Sequence, residues 1–288
     1  MDKKGVEITF NWIFVIISGS ILLFFFMYFA FNQIDLFNKI GINEVTANIN
    51  DEIDAFSIGI SSSKTVEMPK NVVFNFKCGE VIYKDSRKDT LNLIYGKDDF
   101  RSKFNLWTKA WIFPFKIDNL YYASNSDKKF FVIGDDNFLF DIPDKFKKSN
   151  KLEDVKKEDI IVEFTNTNIF SKYNENKVLA INRDAGLITF YPEKQKEEFY
   201  GDAMILGSMF TDFDDYKCLK EKSLVRLGLI ADLYKEKIEF LKLNSKCGFQ
   251  YNQIDRSLDL FKKEPLKYYK VLEDQNNQLK RDGCIGVF

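Results

Sequence analysis

From Phe10 to Phe31 the chain reads FNWIFVIISGSILLFFFMYFAF, with no charged residue in the run. In a helix these residues would extend for about 33 Å, enough to cross a hydrocarbon core of about 30 Å. Trp12 and Tyr28 fall near its two ends, where amphipathic rings favour the headgroup level. The run predicts one membrane-spanning helix over residues 10–32, with the lipid bilayer as its partner. A cleaved secretory peptide is the rival reading. Its apolar region is shorter, about 7–15 residues, and ends at a small-residue cleavage site, which is not evident here.

Lys3, Lys4 and the terminal amine precede the run, and only Lys39 follows it before residue 50. The positive-inside rule then places residues 1–9 in the cytoplasm and the bulk of the chain outside the cytoplasmic membrane, as a single-pass protein. The opposite orientation is opposed by only a few charges.

Lys3-Lys4-Gly5 followed by Val6-Glu7-Ile8-Thr9-Phe10-Asn11-Trp12 resembles the class III signal of archaeal type IV pilin-like proteins. In that family a basic residue and a glycine precede the cleavage point, and the hydrophobic helix follows directly. The resemblance implies removal of Met1 to Gly5 and packing of the helix into a filament. Asn11 stands where the family often has glutamate, and Glu7 is the nearest acid. The likeness covers about a tenth of the chain; an ordinary signal anchor explains the same residues.

Beyond the apolar run, Val45, Ile49, Ile53 and Phe56 recur at helical spacing, which predicts a stalk helix over residues 33–60, with Gly41 weakening the join. Residues 66–215 read as an α/β domain. Val72–Phe76, Val81–Tyr83, Leu91–Tyr95, Phe130–Ile133 and Ile160–Phe164 are strand-like, and a charged stretch at 143–157 reads as helix. The aromatic stretch from Trp107 to Tyr122 reads as core. Val178–Asn182 and Leu187–Tyr191 flank a turn at Arg183–Gly186. Ala203–Phe210 reads as a further apolar strand. The expected fold class is therefore α/β: an N-terminal transmembrane helix with a stalk, a domain with a mixed sheet, and a helical hairpin or small bundle over residues 216–288. In that tail Leu224, Leu227, Ala231, Tyr234, Ile238 and Leu241 form a heptad-like seam, better suited to packing within the chain than to dimerisation. A homo-oligomer or another surface protein remains an expected partner class.

Four cysteines, Cys78, Cys218, Cys247 and Cys284, suit two disulfides in an oxidising compartment. Cys218 and Cys247 bracket a predicted helix of more than about 30 Å and cannot pair with each other. The favoured pairing is Cys247–Cys284 with Cys78–Cys218; Cys218–Cys284 with Cys78–Cys247 is the alternative. A cytoplasmic domain would keep all four reduced, and no close cysteine pair points to zinc.

The chain has no histidine, which excludes Ser-His-Asp and Cys-His catalysis, the common catalytic zinc sites and histidine-held haem. A net charge of −1 offers no basic excess for nucleic acid. Three polar clusters follow predicted strands: Gly134–Asn137, Thr165–Asn168 and Thr211–Asp215. If those strands are parallel, Asp135, Asp136, Asp212, Asp214 and Asp215 share one sheet edge. They would then suit a hard divalent cation such as Ca²⁺ or Mg²⁺, or paired carboxylates for hydrolysis. Strand ends and helix caps use the same residue types everywhere. The expected role is a non-enzymatic cell-surface interaction or structural protein. A tethered hydrolase or metal-binding domain and a pilin-like filament subunit are the alternatives.

Overall fold

The computed structural model describes residues 3–56, 61–68, 72–101, 103–125, 128–165, 169–243 and 246–288. Its first element, α1, runs unbroken from Lys3 to Phe56, a length of about 80 Å at helical rise. It has two parts with different surroundings. Trp12–Phe29 is exposed throughout among the described residues and is long and apolar enough to cross a membrane. Within it, Ser18 and Ser20 turn their hydroxyls back onto the carbonyls of Phe14 and Ile16 at 2.8 and 2.7 Å, so neither needs an outside partner. Further on, Val45, Ile49 and Ile53 of the expected stripe are buried, and so is Ile42 before them. Gly41 does not interrupt the helix. A Cβ there would lie 2.7 Å from the Tyr83 ring, so the glycine lets α1 approach the body closely.

That body begins with β1 (Ser61–Glu67), β2 (Phe74–Lys77), β3 (Glu80–Tyr83), β4 (Ser86–Asp89), β5 (Ile94–Tyr95), β6 (Lys103–Ile112) and β7 (Lys116–Ser124). They form a sheet of order β1-β6-β7-β5 and a small meander β2-β3-β4. Phe74, Phe76, Phe100 and Phe104 pack ring against ring between the meander and the sheet, and the buried side of α1 closes the same core. The opposite face of the sheet carries Trp107, Trp111, Leu120 and Tyr122, all fully buried. The aromatic stretch is thus core on a sheet covered on both faces, and each indole N–H is satisfied: Trp107 by the Ser61 hydroxyl at 3.2 Å, Trp111 by the Tyr200 carbonyl at 2.5 Å.

A second, mixed sheet holds β8 (Lys129–Ile133), β9 (Lys147–Ser149), β10 (Ile160–Glu163), β11 (Lys177–Asn182), β12 (Leu187–Tyr191) and β13 (Gln195–Glu198). Its order is β13-β12-β11-β10-β8-β9, parallel from β9 to β11 and antiparallel from β11 to β13. The β11–β12 hairpin turns at Arg183–Gly186 as the sequence predicts.

Two predicted elements differ. The stretch 143–157 is not a helix; a short helix, α2 (Asp136–Asp141), precedes it, and the rest is irregular apart from β9. Ile142 and Phe146 enter the main core, whereas Leu152 and Val155 cover the other face of the sheet. A helix would hold these four on one cylinder; the irregular chain wraps the sheet edge and serves both faces. Ala203–Phe210 is not a strand but most of α3 (Asp202–Phe210), and all eight residues are buried. Packed against β6 and β7 on one side and β11 on the other, α3 has no solvent face, and its sequence therefore shows no helical period. At Gly207 a Cβ would lie 2.5 Å from the Tyr95 ring, which only glycine avoids.

Three helices complete the chain: α4 (Phe213–Lys242), α5 (Gly248–Lys263) and α6 (Pro265–Arg281). Leu227, Ala231 and Ile238 of α4 meet Tyr251, Ile254, Leu258 and Phe261 of α5 and Leu272 and Leu279 of α6 in one core, so the predicted seam packs within the chain. Asn276 clasps the segment that follows α6. Its side-chain oxygen accepts from the Val287 and Phe288 amides at 2.7 and 3.2 Å, and its Nδ2 donates to the Phe288 carbonyl at 2.5 Å. Cys78 lies against Cys218 and Cys247 against Cys284, with Cα atoms 5.5 and 6.4 Å apart, the favoured of the two sets of pairings that helix length leaves open.

Candidate functional site

The carboxyl ends of β8, β10 and β11 open onto a polar hollow of about 310 Å³ lined by Gly134, Asp135, Phe164, Asn182, Arg183 and Asp184, among others. Asp135 does two things there. One oxygen accepts from the Phe138 amide at 2.9 Å and caps α2; the other accepts from Arg183 at 2.8 Å. The second arm of Arg183 donates to Asp202 at 2.9 Å, and the guanidinium lies over the Phe164 ring at 5.0 Å. Asp136 accepts from the Asn150 side chain at 3.2 Å. Both aspartates are thus engaged by neighbours in the chain, and the hollow is walled by an ion-pair bridge.

Asp212, Asp214 and Asp215 sit elsewhere. Asp212 caps α4 by accepting from the Asp215 amide at 3.0 Å and lies 3.6 Å from the Lys97 ammonium. Asp214 is exposed in the first turn. Asp215 is buried, and its carboxyl is raised to about 6, first by burial and then by the negative charge of Asp212. Beside them, Lys177 at the start of β11 donates to the carbonyls of Ser208, Met209 and Thr211, the last at the end of α3. Burial, with repulsion from Lys97 and Lys128 next, pushes this amine down to about 7. Three carbonyl acceptors at the negative end of a helix hold the protonated form against that push.

The two groups therefore mark opposite ends of β11, since Arg183 follows its last residue and Lys177 is its first. Its six residues separate them by about 17 Å. The structure brings Asp135 to Asp136, and Asp212 to Asp214 and Asp215, but does not bring the five to one edge. The shared edge follows only if Ala203–Phe210 is a parallel strand. As a helix it returns the chain to the other edge of the sheet. Among the described residues no three Asp, Glu or Cys side chains are grouped to hold a metal ion. Of the third cluster only Thr165 can be placed, beside Gly134; residues 166–168 lie outside the described residues.

Sequence reasoning assigned no role to Arg183 or Lys177. Arg183 sits in a turn whose composition is ordinary, and the partners of Lys177 are backbone carbonyls, which no sequence motif records. Compared with known protein families, curated proteins and solved structures, the chain matches none.

Proposed function

We propose that this chain is a non-enzymatic, membrane-tethered surface protein. Residues 10–32 are the anchor, the second half of α1 is the stalk, and the sheets and helical bundle are displayed on the outer side of the cytoplasmic membrane. One observation carries the reading. A single uninterrupted helix exposes apolar side chains on every side over Trp12–Phe29 and seals Ile42–Ile53 into the body. A helix apolar all round requires an apolar surrounding, which lipid supplies. The two cysteine pairs favour an oxidising compartment, and Lys3 and Lys4 favour a cytoplasmic N-terminus.

The unbroken helix also suits a second reading, the pilin-like subunit implied by the N-terminal residues, in which the exposed half of α1 packs against other copies. Mass spectrometry of the protein from native membranes, after alkylation with and without reduction, tests both. Two disulfides with an intact N-terminus support the tether. Two disulfides with Met1–Gly5 removed move the assignment to the pilin-like subunit. Four free thiols overturn the extracytoplasmic placement.

A further inference from the structure

Helix α4 is apolar on two sides. One side forms the bundle core. On the other, Val225, Leu229, Leu233, Phe240 and, just past the helix end, Leu243 are each more than half exposed. At about 100° per residue these five fall in a sector of about 80°, opposite Leu227, Ala231 and Ile238, and run for about 27 Å. Ile285 is likewise exposed at the C-terminal end of α4, where Phe240 and Ile285 flank a hollow of about 510 Å³ walled by Cys247 and Cys284. At the other end Arg226 donates to the Leu91 carbonyl, which sets the 86% exposed Leu91 beside the stripe. This is not background. Of the 14 exposed large apolar residues after Phe29 among the described residues, seven lie on or beside this one face.

We propose that this face is the twofold interface of a homodimer, with α4 of one copy packed antiparallel on α4 of a second. Area supports it. Seven side chains offering roughly 100 Å² apiece present about 700 Å², close to the share each partner gives to a standard stable interface, whereas monomers rarely leave so much apolar surface free. Register supports it too. With the axis beside residue 234, Val225 meets Leu243 of the second copy, Leu229 meets Phe240, and Leu233 lies next to the axis, so the stripe is complementary to itself. Charge selects the antiparallel sense. Glu236 lies within the stripe and is exposed. A parallel pair would set Glu236 against its own copy. The antiparallel pair sets it against Asp232 of the second copy, which brings Lys262 with it, held at 2.6 and 2.8 Å. That ammonium then serves carboxylates from both copies.

The interface is independent of the membrane reading, and its test separates the two. Full-length protein purified in mild detergent is expected to sediment as a dimer. Leu229→Glu places two unpaired carboxylates in the interface and should weaken the dimer by more than about tenfold, while Phe140→Glu, on exposed α2, should leave it unchanged. In native membranes Leu233→Cys should give a covalent dimer with a short thiol cross-linker, and Phe140→Cys should not. Unchanged melting and intact Cys78–Cys218 and Cys247–Cys284 confirm that each variant is folded. A monomer, a dimer indifferent to Leu229→Glu, or cross-linking of Leu233→Cys to a different protein overturns the proposal.

Discussion

Lys177 closes the C-terminal end of α3 by donating to the carbonyl of Ser208 at 2.5 Å, across 31 residues of chain. A helix wedged between two sheets cannot send its last carbonyls to water, so an amine from the neighbouring strand takes them. Lys177→Met keeps the stem and removes the donors. It should lower stability by about 2–3 kcal/mol, read as a reduced midpoint in urea, because several buried acceptors lose their partner at once.

Asp215 supplies a pH dependence of known sign. Its folded-state value, about 6, lies above the ordinary 3.8, so between those limits the native state holds the proton more tightly than the unfolded chain. Its contribution is therefore full below pH 3.8 and is lost as pH rises through 6. At neutral pH the buried carboxylate costs about 2 kcal/mol or less, after allowance for partial solvation. Asp215→Asn should be at least as stable as the parent at pH 7. It should also show a flatter stability profile between pH 4 and 6 in thermal melts across that range.

The separation of the aspartates predicts indifference to divalent cations. Millimolar Ca²⁺ or Mg²⁺ should leave the melting temperature unchanged, and a rise of several degrees would reveal a site. Arg183→Ala breaks two ion pairs of a guanidinium that is 42% exposed, so its cost should be only about 1 kcal/mol. Calorimetry with and without the cation measures both.

Asn276→Ala removes both ends of the clasp on Val287 and Phe288. Val287 is fully buried, so the loss should reach about 2–3 kcal/mol and raise amide exchange at those two residues above that of α5.

How much of this was legible in the sequence depends on whether a residue's partner is water or protein. The stripe from Val45 to Ile53 has a wet side and the hairpin at Arg183–Gly186 a marked turn, so both are visible in the sequence; the strand around Trp107 is buried on both faces and is legible only by its aromatic content. Ala203–Phe210 has no wet side, and a run of eight apolar residues reads equally as strand or helix; that ambiguity misplaced Asp212, Asp214 and Asp215. Strand β4, Ser-Arg-Lys-Asp, is the opposite case: it lies at the edge of the small meander with mostly exposed side chains and carries no apolar signal at all. The outer stripe of α4 was hidden by the stronger inner seam, since a helix apolar on two faces blurs its own period.

The Cys78–Cys218 link has a mechanical consequence. It ties the turn between β2 and β3, part of the meander that α1 grips through Tyr83, to the beginning of α4, spanning 140 residues of sequence. Tension applied along α1 reaches the meander first. With the crosslink in place the load passes covalently into the helical bundle instead of peeling the meander from its sheet. Under a steady pull, the body should yield along the Ile42–Ile53 seam before the meander and the bundle part company.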